Sequence, residues 1–253
     1  MRVLILGVGD AFTRRHFNSG ALIKAPDAPD GPGGFVMIDC PDPIHRVLHE
    51  AAVTAGWKVT ASEIHDIIIT HLHGDHCNGL ESFGFWHLVR RGNDPSLPIP
   101  RLHTHVPAAA RLWEKLAPAM DGATSPSGLR MLNSIYEVRE LDPQWQAQVA
   151  ELTVRCRFTQ HALPCTGLLI SDGKSTLGWS GDTFFDPDHL DWLSEADLIV
   201  HEAGGKPFHT DIEQLATLPE PIRKKLRLIH VPDEVTRRKE GLQFLNEGDV
   251  LEL

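Results

Sequence analysis

Apolar residues fall along the chain in two rhythms, and each change of rhythm marks an element. Residues 1–9, 20–24 and 35–38 run or alternate apolar, which predicts a meander of antiparallel strands, with the Pro-, Gly- and Asp-rich stretch 26–34 as a loop. Ile44, Val47, Leu48, Ala51, Ala52 and Ala55 then recur at helical spacing and stop at Gly56, so a helix is expected over 44–55, followed by a short one capped by Thr60 or Ser62. Ile67-Ile68-Ile69-Thr70 is a β-branched run with the character of a buried strand, and it leads directly into a turn and another helical stretch. Residues 92–100 and 117–130 are rich in Pro, Gly and Ser and are expected to be loops and candidate lids, with a helix over 107–116 between them.

The second half repeats this grammar. Strands are predicted at 151–159, 166–171, 175–179, 197–200 and 226–229, and helices at 187–194, 211–217 and 220–225. Two strand-rich runs, each followed by helices, imply an α/β fold of two mixed sheets packed face to face with helices on the outer faces. At 253 residues and 42% apolar composition, a single domain over 1–253 is expected.

Composition narrows the function. No stretch reaches the roughly 20 apolar residues of a membrane span, and the N-terminus turns polar too soon for a secretory signal. Cys40, Cys77, Cys156 and Cys165 form no C-x-x-C pair, which fits a reducing cytoplasm and neither a disulfide framework nor a thiolate zinc site. A net charge of −10 argues against extended nucleic-acid binding or an anionic membrane surface and for a small-molecule substrate; a homodimer is compatible with all of this. Fifteen histidines stand beside one tyrosine, and imidazole is both the commonest metal ligand and the usual acid/base group near neutral pH.

Several of those histidines are concentrated. His71 and His73 lie two apart at the end of an extended segment and so project to one side, while Asp75 and His76 follow in the turn that opens a helix. His161, Asp182 and His230 each follow a predicted strand. The H-x-H-x-D-H turn followed by these three in order resembles the signature of the metallo-β-lactamase superfamily, across nearly the whole chain. The resemblance implies a four-layer αββα sandwich. It also implies a dinuclear centre in which His71, His73 and His161 hold one ion, Asp75, His76 and His230 the other, and Asp182 bridges them, with Asp39 behind the ligands. Imidazole and carboxylate donors without thiolate suit zinc first and also admit Mn²⁺ or Fe²⁺. A hydroxide shared by the two ions would be the nucleophile, with Asp75 steering its proton.

His201-Glu202-Ala203-Gly204-Gly205 and the later His209-Thr210 are similar to two short motifs of ribonuclease Z-like members, with Gly204 where those carry threonine. The likeness implies that Glu202 and His209 cooperate in protonating the leaving group. Only 21 positions separate His161 from Asp182, which leaves no room for the long RNA-gripping arm that many ribonuclease Z enzymes insert there. The expected activity is therefore hydrolysis of a small phosphodiester or cyclic nucleotide. A carboxylic ester hydrolase, lactonase or thioesterase, is the alternative, because the same centre attacks carbonyl carbon and fold does not fix substrate. A non-catalytic binding member is disfavoured by the intact ligand set, and a diiron redox role by His73, where those relatives use glutamate. His103-Thr104-His105 lacks a nearby carboxylate and is read as structural, as are Phe83, Phe85 and Trp86, whose spacing suits a core.

Overall fold

The computed structural model describes residues 1–29, 31, 33–122 and 128–253. Strands β1 (Arg2–Gly7), β2 (Gly20–Lys24) and β3 (Phe35–Ile38) form the expected antiparallel meander. Helix α1 (Ile44–Ala55) buries Ile44, Val47, Leu48, Ala51 and Ala52, and ends at Gly56, whose φ of 70° lets its N–H return to the Ala52 and Val53 carbonyls. The short helix beyond it is a single 3-10 turn, Ala61–Glu63, closed by a reciprocal capping box between Thr60 and Glu63. Next come β4 (Ile64–Ile68), the one-turn helix α2 (Gly74–Cys77), α3 (Leu80–Asn93), β5 (Arg101–His105), α4 (Val106–Met120) and β6 (Glu137–Leu141). The second half contains β7 (Ala147–Val149), β8 (Leu152–Phe158), β9 (Thr166–Ser171), β10 (Thr176–Trp179), α5 (Pro187–Leu193), β11 (Leu198–Glu202), α6 (Ile212–Ala216), α7 (Glu220–Lys225), β12 (Leu226–Ile229) and β13 (Val250–Glu252).

The first sheet has the order β13-β1-β2-β3-β4-β5-β6 and the second β12-β11-β10-β9-β8-β7. Both are mixed: β3 to β6 are mutually parallel, as are β10 to β12, and the remaining pairs are antiparallel. Strand alternation produces the layers. On β1, Val3 and Ile5 join Ile23, Ile38, Leu168, Ile170 and Trp179 in a core between the sheets. Leu4 and Leu6 point the other way, to a second core with Leu48, Phe83 and Leu112 of α1, α3 and α4. Leu169, Ile199 and Leu228 of the second sheet meet Leu190, Leu193 and Leu215 of α5 and α6 in a third. This is the αββα sandwich.

Differences from expectation have physical causes. Helix α4 runs on to Met120 through Pro118, where composition predicted a loop from 117, because Met120 is fully buried against the face of Gly84. Helix α3 likewise extends to Asn93. Of the two candidate lids, residues 123–127 lie outside the described residues, and none of 92–100 lines the cavity described below. Strands β5, β6, β7 and β13 were not anticipated: all four are edge or near-edge strands of three to five residues, and β6 buries only Leu141 fully.

Candidate metal centre

Both sheets present the C-terminal ends of co-directional strands to one edge of the sandwich, the place where open α/β sheets bind ligands. Asp39 follows β3, the segment 71–76 follows β4, His161 follows β8, Asp182 follows β10, Glu202 ends β11 and His230 follows β12. The seven side chains resembling metal ligands meet there. Donor atoms of His71, His73, His161 and Asp182 lie within 4.8 Å of one another, as do those of Asp75, His76 and His230. One atom stands between the two sets: Asp182 Oδ2 is 3.7 Å from His71 Nε2, 3.8 Å from His161 Nε2, 3.4 Å from His76 Nε2 and 3.5 Å from His230 Nε2.

Local backbone makes this convergence possible. Gly181, at φ 60°, turns the chain so tightly that a Cβ would sit 2.5 Å from the Thr166 carbonyl oxygen, and the next residue, Asp182, is thereby aimed into the cluster. Asp39 and His230 are themselves in the left-handed region, at φ 57° and 54°, a conformation costing roughly 1–2 kcal/mol for a residue with a Cβ. Strain of this kind persists where surrounding structure holds it, and here it holds two side chains of the cluster in place. Asp39 is fully buried behind the donors: it accepts from the Thr70 N–H at 2.9 Å and pairs with His76 Nδ1 at 2.8 Å, which leaves His76 Nε2 for the cluster.

The donor set fits divalent cations. His73 Nδ1 lies 3.0 Å from both His71 Nε2 and His161 Nε2; one ring nitrogen carries one proton or one lone pair and cannot satisfy both, whereas a cation shared by the three can. His76 Nε2 is buried with no hydrogen-bond partner. Burial pushes the His71 and His73 imidazoles down and takes His161 to about 4, so they are neutral, as metal coordination requires. In the other group burial also opposes charge, yet Asp182 and Asp39 drive His76 up, and Asp182 with Asp75 drives His230 up to about 9. Burial would raise Asp75 and Asp182, but His230 and His76 hold both well below the usual carboxylate range. A buried and a partly buried carboxylate are thus calling for positive charge, which a divalent ion supplies and protons on His76 and His230 replace.

Glu202 and His209 sit beside the cluster with distinct surroundings. Glu202 is buried. Its Oε1 accepts from the N–H groups of Thr183 at 3.0 Å and Thr210 at 3.1 Å and pairs with His209 Nδ1 at 3.1 Å, while Oε2 accepts from the Gly204 N–H at 2.7 Å. It therefore ties the Asp182 loop to the His209 loop. His209 is partly exposed, and its Nδ1 is also 3.8 Å from Asp182 Oδ2, so it lies within reach of a cation as well. Gly204, where the similar motif has threonine, is packed closely: a Cβ there would meet His209 Cγ at 2.8 Å and His230 Nδ1 at 3.1 Å.

A cavity of about 700 Å³ opens over the cluster, lined at its floor by His73, Asp75, His161, Asp182, His209 and His230. Its wall brings in residues that the sequence did not single out, among them Phe12, Asn18, Asp42, Asn78 and Phe208, none of which follows a strand or belongs to a ligand pattern. The pair His103 and His105 is elsewhere: His103 Nε2 bonds Asp66 at 2.8 Å, and His105 accepts from the Ala108 N–H at the start of α4. Phe83 is core, Phe85 packs against it, and Trp86 lies on His45 outside the cavity. Among the described residues no helix is long and apolar enough to cross a membrane.

Comparison with known proteins bears on the fold and the family. In fold, the chain is similar to the metallo-beta-lactamase fold protein YhfI from Bacillus subtilis, with a TM-score of 0.76 at 19% identity over 99% of each chain. In sequence, it is 22% identical over 230 residues to the cGMP-dependent 3',5'-cGMP phosphodiesterase A of Dictyostelium discoideum, a match covering 84% of this chain and 24% of that protein. It is 32% identical over 266 residues to the Anti-Pycsar protein Apyc1 of Paenibacillus sp. (strain J14), covering 100% of this chain and 99% of the relative. A family model described as Anti-Pycsar protein Apyc1 matches residues 1–251, and the chain belongs to that family.

Proposed function

We propose that all 253 residues form one metal-dependent phosphodiesterase domain that hydrolyses a small phosphodiester, a cyclic nucleotide being the best fit. In this reading His71, His73 and His161 hold one zinc ion, Asp75, His76 and His230 a second, and Asp182 joins them. The observation that carries it is Asp182 Oδ2, set within 3.8 Å of nitrogens from both groups at the floor of a cavity large enough for a nucleotide. A dinuclear site of this type supplies an ionised water and neutralises the charge that grows on the phosphoryl oxygens.

The chain's own residues do the rest. Glu202 accepts from His209 Nδ1–H, which fixes the ring at the cavity; on the doubly protonated ring, Nε2–H is then the proton left to donate. As the water oxygen bonds to phosphorus and the phosphorus–oxygen bond to the leaving group breaks, the Nε2 proton passes to the departing oxygen. Asp75 lines the same floor and is placed to take the proton the water loses. The named activity of the Dictyostelium relative supports the substrate class, and the four cysteines, each buried as a free thiol, suit a reducing cytoplasm.

The test is elemental analysis of the purified protein followed by assays on 3',5'-cyclic nucleotides, bis(p-nitrophenyl) phosphate and a lactone panel, before and after chelation. About two ions per chain and chelator-sensitive cleavage of the phosphodiesters are expected. Turnover confined to lactones or thioesters would replace this reading with a carboxylic ester hydrolase.

A further inference from the structure

The carbonyl of Ser180, two residues before Asp182, is met by a side chain from helix α5. His189 Nε2 lies 3.0 Å from the Ser180 oxygen, and since a carbonyl only accepts, the ring carries its proton there. Both residues are buried, and His189 neither lines the cavity nor belongs to a group of candidate ligands. Burial pushes its imidazole down to about 4, so the ring is neutral and has that one proton, while Nδ1 is buried with no hydrogen-bond partner. An aliphatic side chain would fill the same space without stranding a nitrogen, so what the imidazole contributes is the Nε2–H bond.

The surroundings hold the ring in that pose. Gly167 of β9 lies against it: a Cβ there would come within 2.4 Å of His189 Cε1 and 2.7 Å of Nε2, so a side chain at 167 would push the ring off the Ser180 oxygen. Trp192, three residues further along α5, stacks on the ring with centroids 5.6 Å apart. The Asp186 cap accepts from the N–H groups of Asp188 at 3.0 Å and His189 at 3.2 Å, which fixes the start of the helix.

The bond acts at a glycine joint. From Asp182 onward each residue is tied down: the Thr159 hydroxyl donates to the Asp182 carbonyl at 2.7 Å, the Thr183 N–H to Glu202 at 3.0 Å and the Phe184 N–H to the Gln160 carbonyl at 2.8 Å. Before Asp182 stands Gly181, at φ 60°, with no Cβ to resist rotation of the peptide that joins it to Ser180. The Ser180 oxygen belongs to that peptide, and the plane of the peptide sets the direction in which the turn delivers Asp182.

Building on the reading in which Asp182 joins two ions, we propose that His189 is a positioning residue: by tying the Ser180 carbonyl to α5 it aims Asp182 Oδ2 between the two histidine groups and sets how tightly the ions are held. Hydrogen-bonded supports behind metal ligands are worth roughly 10–100-fold in metal affinity.

The experiment measures zinc stoichiometry and affinity, by competition with a chromogenic chelator, for the wild type, H189L, H189N and H189Q, each below the Tm it shows in chelator. Glutamine places an amide nitrogen near the position of Nε2 and can donate to Ser180; asparagine is one methylene shorter, and leucine has no donor. Wild type and H189Q are expected to hold both ions with similar affinity, whereas H189L and H189N should bind the weaker ion about tenfold less tightly or worse. Restoration by glutamine and not by asparagine is a pattern that packing alone does not produce. Ions held as tightly in H189L and H189N as in the wild type overturn the proposal and leave the metal centre standing. A loss in H189Q equal to theirs also overturns it, because it marks a role in shape. If H189L does not fold, H189N against H189Q decides between these outcomes. A wild type that takes up no zinc removes the metal-centre reading, and the role of His189 with it.

Discussion

Asp182 reaches both groups of histidines through one oxygen, so its removal is the sharpest single change available at the centre. Without it the first group loses its only carboxylate, and the second loses a carboxylate that raises both His76 and His230. Asp182→Ala is expected to lower bound metal well below two ions per chain, read by elemental analysis, and to abolish turnover; a fully loaded, active variant would contradict the shared role. His209 is a different case. Its Nδ1 is within reach of a cation, yet it is nearer to Glu202, at 3.1 Å, than to Asp182, at 3.8 Å. His209→Ala should therefore keep both ions and slow substrates with poor leaving groups by roughly 10²-fold or more, while esters of p-nitrophenol, which leave without a proton, are much less affected. If His209→Ala loses an ion, or slows all substrates alike, the residue is a ligand or a scaffold instead. The histidines and carboxylates of this cluster were legible in the sequence because each follows an apolar run and belongs to a chemically distinctive set. Phe12, Asn18, Asp42, Asn78 and Phe208 were not, since a phenylalanine or asparagine in a loop carries no signature until the fold folds it over a cavity.

Elements were legible in proportion to how many apolar residues they bury. Helix α1 and strands β1, β3, β9 and β12 have the boundaries their apolar periodicity predicts, to within a few residues at most, whereas β5, β6, β7 and β13 were invisible. Strand β5 shows why: its sequence Arg101-Leu102-His103-Thr104-His105 has one aliphatic residue, and it is fixed by polar contacts. Asp66 on neighbouring β4 is buried and is held by Arg101 on one side and by His103 Nε2 at 2.8 Å on the other. Burial would raise this carboxyl, but the Arg101 and His103 hydrogen bonds outweigh it and bring it down to about 2. A carboxyl depressed in the fold stabilises it above the unfolded value of 3.8, and that contribution is lost as pH falls through about 2. Asp66→Asn should cost about 2 kcal/mol near neutral pH, less than a fully buried pair because Arg101 reaches solvent. The gap in stability between wild type and variant should narrow between pH 4 and pH 2, when both are unfolded thermally in chelator. A gap that is constant across that range would show that Asp66 contributes by packing alone.

At the scale of the molecule, the cluster lies where the two sheets are stitched together. The Thr166 N–H of the second sheet donates to the Thr70 carbonyl of the first at 3.2 Å, and the Val231 N–H donates to the Val8 carbonyl at 3.0 Å. Either side of these two bonds stand the donors, His71 to His76 from one sheet and His161, Asp182 and His230 from the other. Ions bound by all of them would cross-link the two sheets at this edge, and would bind the folded chain only. Each ion present at about 1,000 times its dissociation constant stabilises a fold by about 4 kcal/mol, and in a chain of roughly this size 1 kcal/mol moves Tm by about 2–4 °C. Part of that is recovered without metal, because protons on His76 and His230 balance Asp75 and Asp182. Chelation followed by desalting is therefore expected to lower Tm by on the order of 10 °C, with the drop reversed by added zinc and largely absent in Asp182→Ala, which has less metal to lose. A chelated protein that melts where the untreated one does would mean that the sheets are joined at this edge by hydrogen bonds and packing alone, and that the ions, if bound, contribute nothing to holding the halves together.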